Sequence, residues 1–166
     1  LFINLLTDSL PALAIGMEPS EKDLLKQKPR GRKESLLDAS FLRQISLQGL
    51  LIAAATLAAY TMGLKENPLT GATMAFATLT LARLFHGFNC RSRHSLPAIG
   101  FRKNPYSLWA FAAGVILLVS VLGIPALHGM FQIADLTTEQ FGWIWLWAVL
   151  PTGCIQIGRI VRERIS

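Results

Sequence analysis

Residues 2–19 read FINLLTDSLPALAIGMEP. The run is apolar except at its middle, where Asp8 stands with Asn4 and Thr7 before it and Pro11 after it. A carboxylate and a helix-disrupting residue inside so apolar a stretch need a reason. The rest of the chain says what solvent that stretch meets. Of 166 residues 52% are apolar and only 16% are charged, and the mean hydropathy is +0.43. Soluble domains carry about a quarter charged residues, so the composition indicates a membrane protein.

Five apolar segments stand out, at 1–17, 41–62, 71–89, 106–128 and 141–160. A helix needs about 20 residues to cross the hydrocarbon core. The first segment falls a little short, as a span cut at Leu1 would. Open sheets cannot cross lipid, because their unpaired backbone groups would meet no water. The expected fold is therefore all-α: a bundle of five transmembrane helices, the first truncated and kinked at Pro11. In the second segment Gly49, Ala54 and Ala58 offer either a small surface for close helix approach or a plain lipid-facing stripe. The Lys65–Pro68 run KENP is a turn. Trp143, Trp145 and Trp147 fit an interfacial anchor, and Pro151 is expected to bend the last helix.

Lys and Arg give the orientation. Lys22, Lys26, Lys28, Arg30, Arg32, Lys33 and Arg43 fall in or beside the first long loop. Arg91, Arg93, Arg102 and Lys103 fall in loop 90–105, and Arg159, Arg162 and Arg164 in the tail. Fourteen of the sixteen basic residues thus lie in alternate loops, the pattern of cytoplasmic segments. The C-terminus is then cytoplasmic. A net charge of +6 distributed in this way excludes a nucleic-acid patch. Cys90 and Cys154 have neither disulfide-framework nor zinc-knuckle spacing. His86, His94 and His128 sit at or near span ends and read as interfacial residues.

Asn4, Thr7 and Asp8 are spaced i, i+3, i+4 and share one helix face. An ionised group at mid-membrane costs about 2.5–3.5 kcal/mol on insertion scales, so it needs a partner or a task. A carboxylate, an amide oxygen and a hydroxyl suit a hard cation such as Ca²⁺. Pro11 has no N–H to offer the carbonyl of Thr7, which leaves one more oxygen beside Asp8. The alternative is a structural pair between Asp8 and a base on another span. Arg83, in LTLARLFHGFN, is the second buried charge. It either snorkels to the interface or turns inward as a counter-charge to Asp8; it does not lose its proton.

The run NLLTDSLPALAIGMEPSEKDLLKQKPR (4–30) resembles the sixth transmembrane helix and following cytoplasmic loop of P-type cation pumps. It is nearest the calcium-transporting ATPases of the sarcoplasmic reticulum type and their bacterial relatives. The later spans resemble helices seven to ten, so the likeness covers the whole chain. It implies that Asn4, Thr7 and Asp8 are ion ligands, and the asparagine resembles calcium pumps rather than pumps with an acid there. Ser9 departs from the glycine that often follows the aspartate. Aligning ATMAFATLTLARLFHGFN (72–89) with the eighth helix puts Arg83 where two-site calcium pumps carry a glutamate. That implies a single Ca²⁺ per cycle, with Arg83 filling the vacated site. The D-K-T-G-T phosphorylation motif is absent, so the chain is expected to be a C-terminal membrane fragment, inactive alone. ATP and Mg²⁺ would bind only upstream domains, and the partners would be the bilayer and that N-terminal part. The short tail fits a bacterial plasma-membrane pump. A stand-alone membrane scaffold, or a pump for Mn²⁺ or Na⁺, are the competing readings.

Overall fold

The computed structural model describes residues 2–19, 37–92, 94–100 and 103–165, with only the backbone of residues 2–7. Most basic residues of the first long loop, together with Arg93 and Arg102, lie outside the described residues. Seven helices are described: α1 (Phe2–Gly16), α2 (Ala39–Leu64), α3 (Pro68–Asn89), α4 (Leu96–Ile99), α5 (Pro105–Gly123), α6 (Pro125–Phe131) and α7 (Thr138–Ile165). No strand occurs among the described residues. Three helices, α2, α5 and α7, are long and apolar enough to cross a membrane. α1 has 15 residues. α3 has 22 residues but mixes four threonines, Arg83, His86 and Asn89 into its apolar sequence.

The starts of the helices follow from local chemistry. Asp38, Asn67 and Asn104 each accept a hydrogen bond from the backbone N–H three residues on, at 2.6, 2.8 and 3.2 Å. Such caps satisfy donors that the first helical turn leaves free. Pro68 and Pro105 follow the two asparagines, where a missing N–H costs nothing. At α7 the caps are reciprocal. The N–H of Gln140 donates to Thr137 Oγ1 at 3.3 Å, and the N–H of Thr137 donates to Gln140 Oε1 at 2.8 Å.

α3 is the central helix. It packs against α2, α5, α7 and α1, and Met74, Ala77, Leu81, Ala82 and Leu84 are buried along it. The core continues into Leu118, Val121 and Leu122 of α5 and Ile144 and Ala148 of α7. The α2–α3 hairpin is closed by glycine. A Cβ on Gly63 would lie 2.9 Å from the Cα and N of Gly71, so a side chain there meets backbone. The buried stripe of α2 is Ala55, Ala59 and Gly63. Of the two readings of Gly49, Ala54 and Ala58, the outward-facing one holds for Gly49 and Ala54, and a Cβ on Gly49 would meet nothing within 4 Å.

The single span expected at 106–128 is in fact two helices. α5 ends at Gly123, Ile124 is extended (φ −99°, ψ 106°), and α6 begins at Pro125. The ring of a proline clashes with a helical preceding residue, which forces the break. Pro11 and Pro151, by contrast, lie inside α1 and α7. α1 runs on past Pro11 to Gly16. A proline removes only one backbone hydrogen bond, and the bonds on either side persist. Its ring packs over the Gly87 turn of α3, 3.8 Å from where a Cβ would stand. Two of the three tryptophans make contacts between helices. Trp147 Nε1 donates to Met62 Sδ at 3.3 Å, and Trp145 meets Phe85 edge-on at 6.0 Å.

Candidate functional site

Asp8 on α1 and Arg83 on α3 form an ion pair, with a guanidinium N–H donating to Asp8 Oδ2. Two residues 75 positions apart are brought together because α1 lies along α3. Arg83 therefore turns toward Asp8 rather than only reaching for the interface. Neither side chain is enclosed: Asp8 is 46% and Arg83 37% exposed. The pair sits on an open flank of the bundle, with room for further groups beside the carboxylate. Asn4 and Thr7 lie on the same helix, but their side chains are outside the described residues. Among the described residues, no three His, Cys, Asp or Glu side chains cluster as a metal site.

Just past the end of α1 is a second charged site, and this one is closed. Glu18 receives two hydrogen bonds from Arg91, from Nε to Oε2 and from NH2 to Oε1, both 2.8 Å. The Arg91 side chain has no solvent exposure and that of Glu18 only 17%. Asn104 Nδ2 donates to Glu18 Oε2 at 2.7 Å and to the carbonyl of Ala14 at 2.8 Å. Burial pushes the Glu18 carboxyl up, but the bonds from Arg91 and Asn104 and the Arg91 charge outweigh it, and the net shift is downward. Glu18 is thus held as a carboxylate.

The end of α3 is tied to α7 in a similar way. Arg159 donates to the carbonyls of Asn89 at 2.9 Å and Ser92 at 2.8 Å. Glu163 accepts from the N–H and hydroxyl of Ser95, both at 2.6 Å. Gln156 accepts from the N–H of Leu96 at 2.9 Å. These contacts put the ends of α1, α3 and α7 and the start of α5 at one side, together with Arg91, Lys103 and Arg159 among the described basic residues. Of the histidines, His128 pairs with Asp135 at 2.9 Å and with the carbonyl of Leu122 at 3.0 Å, and His94 lies 3.5 Å from Glu163. Both tie chain segments together.

The sequence marked Asp8 and Arg83 but not the Glu18–Arg91–Asn104 cluster. Arg91 was counted only as one cytoplasmic charge among several. The Asn104–Pro105 pair was a legible helix-start signal, yet nothing local says that the same asparagine reaches Ala14 and Glu18, ninety and eighty-six residues away.

Residues 1–161 match the family described as cation transporting ATPase, C-terminus. The calcium-transporting ATPase 1 of Bacillus cereus is 34% identical over 98% of this chain and 20% of its own length. The calcium-transporting ATPase of Bacillus subtilis is 33% identical over 99% of the chain and 19% of its own. The human calcium-transporting ATPase type 2C member 2 is 30% identical over 82% of the chain and 15% of its own. The chain thus spans about a fifth of the length of the bacterial relatives.

Proposed function

The chain belongs to the C-terminal family of cation-transporting ATPases, and from this premise we propose that it is the C-terminal membrane part of an ATP-driven calcium export pump. In this reading all five apolar segments cross the bilayer, α1 and α3 included, and the C-terminus is cytoplasmic. The setting is a bacterial plasma membrane. α1 has 15 residues, and Pro11 kinks it beside the site. α3 needs little lipid-facing apolarity because it is surrounded by other helices. Asp8 supplies the charge of a single Ca²⁺ site, and Asn4 and Thr7 supply neutral oxygens. Arg83 takes the place of a second ion. The remaining ligands, ATP and Mg²⁺ belong to the upstream portion, whose phosphorylation would drive alternating access.

The observation that carries this reading is the open, half-exposed carboxylate of Asp8 held against a permanent cation on α3. A guanidinium placed there neutralises the acid when no ion is bound and repels a second cation. A scaffold would also need that pair, and this favours it as the second reading. Mn²⁺ and Na⁺ would meet the same oxygens.

The experiment is Asp8→Asn in the full-length pump, read as calcium-dependent phosphorylation by ATP. The expected result is a loss of apparent calcium affinity of about a hundredfold or more, since a ligand charge is removed. Unchanged affinity would exclude Asp8 as a ligand and leave the Asp8–Arg83 pair a purely structural one.

A further inference from the structure

We infer that Glu18, Arg91 and Asn104 form a positioning latch that fixes the depth and rotation of α1, and so decides where Asp8 stands in the membrane. The inference rests on the ion-site reading above.

Of the described residues of α1 from Asp8 to Gly16, Ala14 alone is buried, while Leu10 and Leu13 are exposed. Two polar tethers add direction to its contacts with α3 and α5. One is the Asp8–Arg83 pair, which a bound cation at Asp8 must disturb. The other is the cluster at Glu18, ten residues further on. The latch also bonds the carbonyl of Ala14 inside α1, six residues from Asp8, or about 9 Å along the helix at 1.5 Å per residue.

The latch differs in kind from a surface ion pair. Arg91 grips both carboxylate oxygens in the fork geometry that gives charge-assisted bonds their direction as well as their strength. Asn104 is used three times. Its amide bonds Glu18 and the Ala14 carbonyl in the last turn of α1, and its carbonyl oxygen caps α5 at Ser107. The end of α1, the segment after α3 and the start of α5 are thereby joined at one point. A buried ion pair with all its partners in place permits one arrangement and penalises small displacements. With the latch closed α1 has one register; with it open, Asp8 slides or turns with its helix. Glu18, Arg91 and Asn104 lie beyond reach of the ion and touch no substrate.

The test uses the intact pump and compares half-saturating calcium with the maximal level of phosphorylation by ATP. Glu18→Gln keeps the shape and removes the charge. It is expected to raise half-saturating calcium by about tenfold while the maximal level is retained, because neighbouring groups in one network couple at this size. Arg91→Lys should act in the same direction, and the double variant should be no worse than the weaker single one. Should Glu18→Gln fail to fold, Glu18→Asp shortens the tether by one methylene at constant charge. Asn104→Ser keeps the α5 cap but cannot reach α1. Both should shift half-saturating calcium. Unchanged half-saturating calcium in these variants, or a fall in maximal level alone, overturns the latch. Asp8→Asn run alongside separates the two failures. If it shifts calcium dependence and the Glu18 variants do not, the latch alone is wrong. If it does not, the ion-site reading fails and the positioning role with it.

Discussion

A guanidinium without solvent, as at Arg91, is tolerated in a folded chain only when its lost hydration is replaced by fixed acceptors. Glu18 provides them, and Asn104 in turn completes the shell of Glu18. Arg83 is a different case. It is partly open, faces one carboxylate and keeps its charge at any physiological pH. Its consequence is a count rather than an affinity. The one Ca²⁺ must displace the guanidinium from Asp8, and the displaced fixed charge repels a second divalent ion beside it, so the intact pump is expected to move one Ca²⁺ per ATP hydrolysed. Simultaneous measurement of calcium uptake and phosphate release in sealed vesicles gives that ratio. A value of two would show that Arg83 excludes nothing.

Helix α3 owes its central position to its mixed composition. Thr70, Thr73, Thr78, Thr80 and Asn89 are all buried, which a lipid-facing helix could not afford. Thr73, for example, answers the Leu69 carbonyl and accepts from the N–H of Ala134. The hairpin with α2 depends on backbone approach at Gly63 and Gly71. Gly63→Ala should therefore destabilise the protein by about 1–3 kcal/mol through overpacking. Gly49→Ala on the outward face should be neutral or slightly stabilising, since alanine is the better helix former. Thermal unfolding of the two variants in detergent checks the contrast, and equal melting temperatures would place the close approach elsewhere. The break between α5 and α6 was also written locally, in Ile124–Pro125, but hydropathy averaged over a long apolar run passes over a single proline.

At the scale of the molecule, the alternation of basic loops and the side on which Glu18, Arg91, Asn104 and Arg159 meet describe the same end of the bundle. If all five segments cross, a cysteine at Glu66 or Asp135, with Cys90 and Cys154 replaced, is expected to react with an impermeant reagent added outside intact cells. One at His94 should react only after permeabilisation. Labelling of His94→Cys from outside would invert the topology, and labelling of Glu66→Cys only from inside would remove the crossings of α2 and α3. Membrane residence, helical class and the charge asymmetry were determined by the sequence alone, because lipid imposes length, apolarity and backbone satisfaction on each segment separately. Asp8 drew attention for the same reason: a charge is conspicuous inside a largely apolar segment. Only the tertiary structure decided that Arg83 meets it, that Gly63 rather than Gly49 is the contact, and that Arg91 is buried against Glu18. Those are choices between faces of helices and between partners scores of residues apart, and no local rule ranks them until the helices pack.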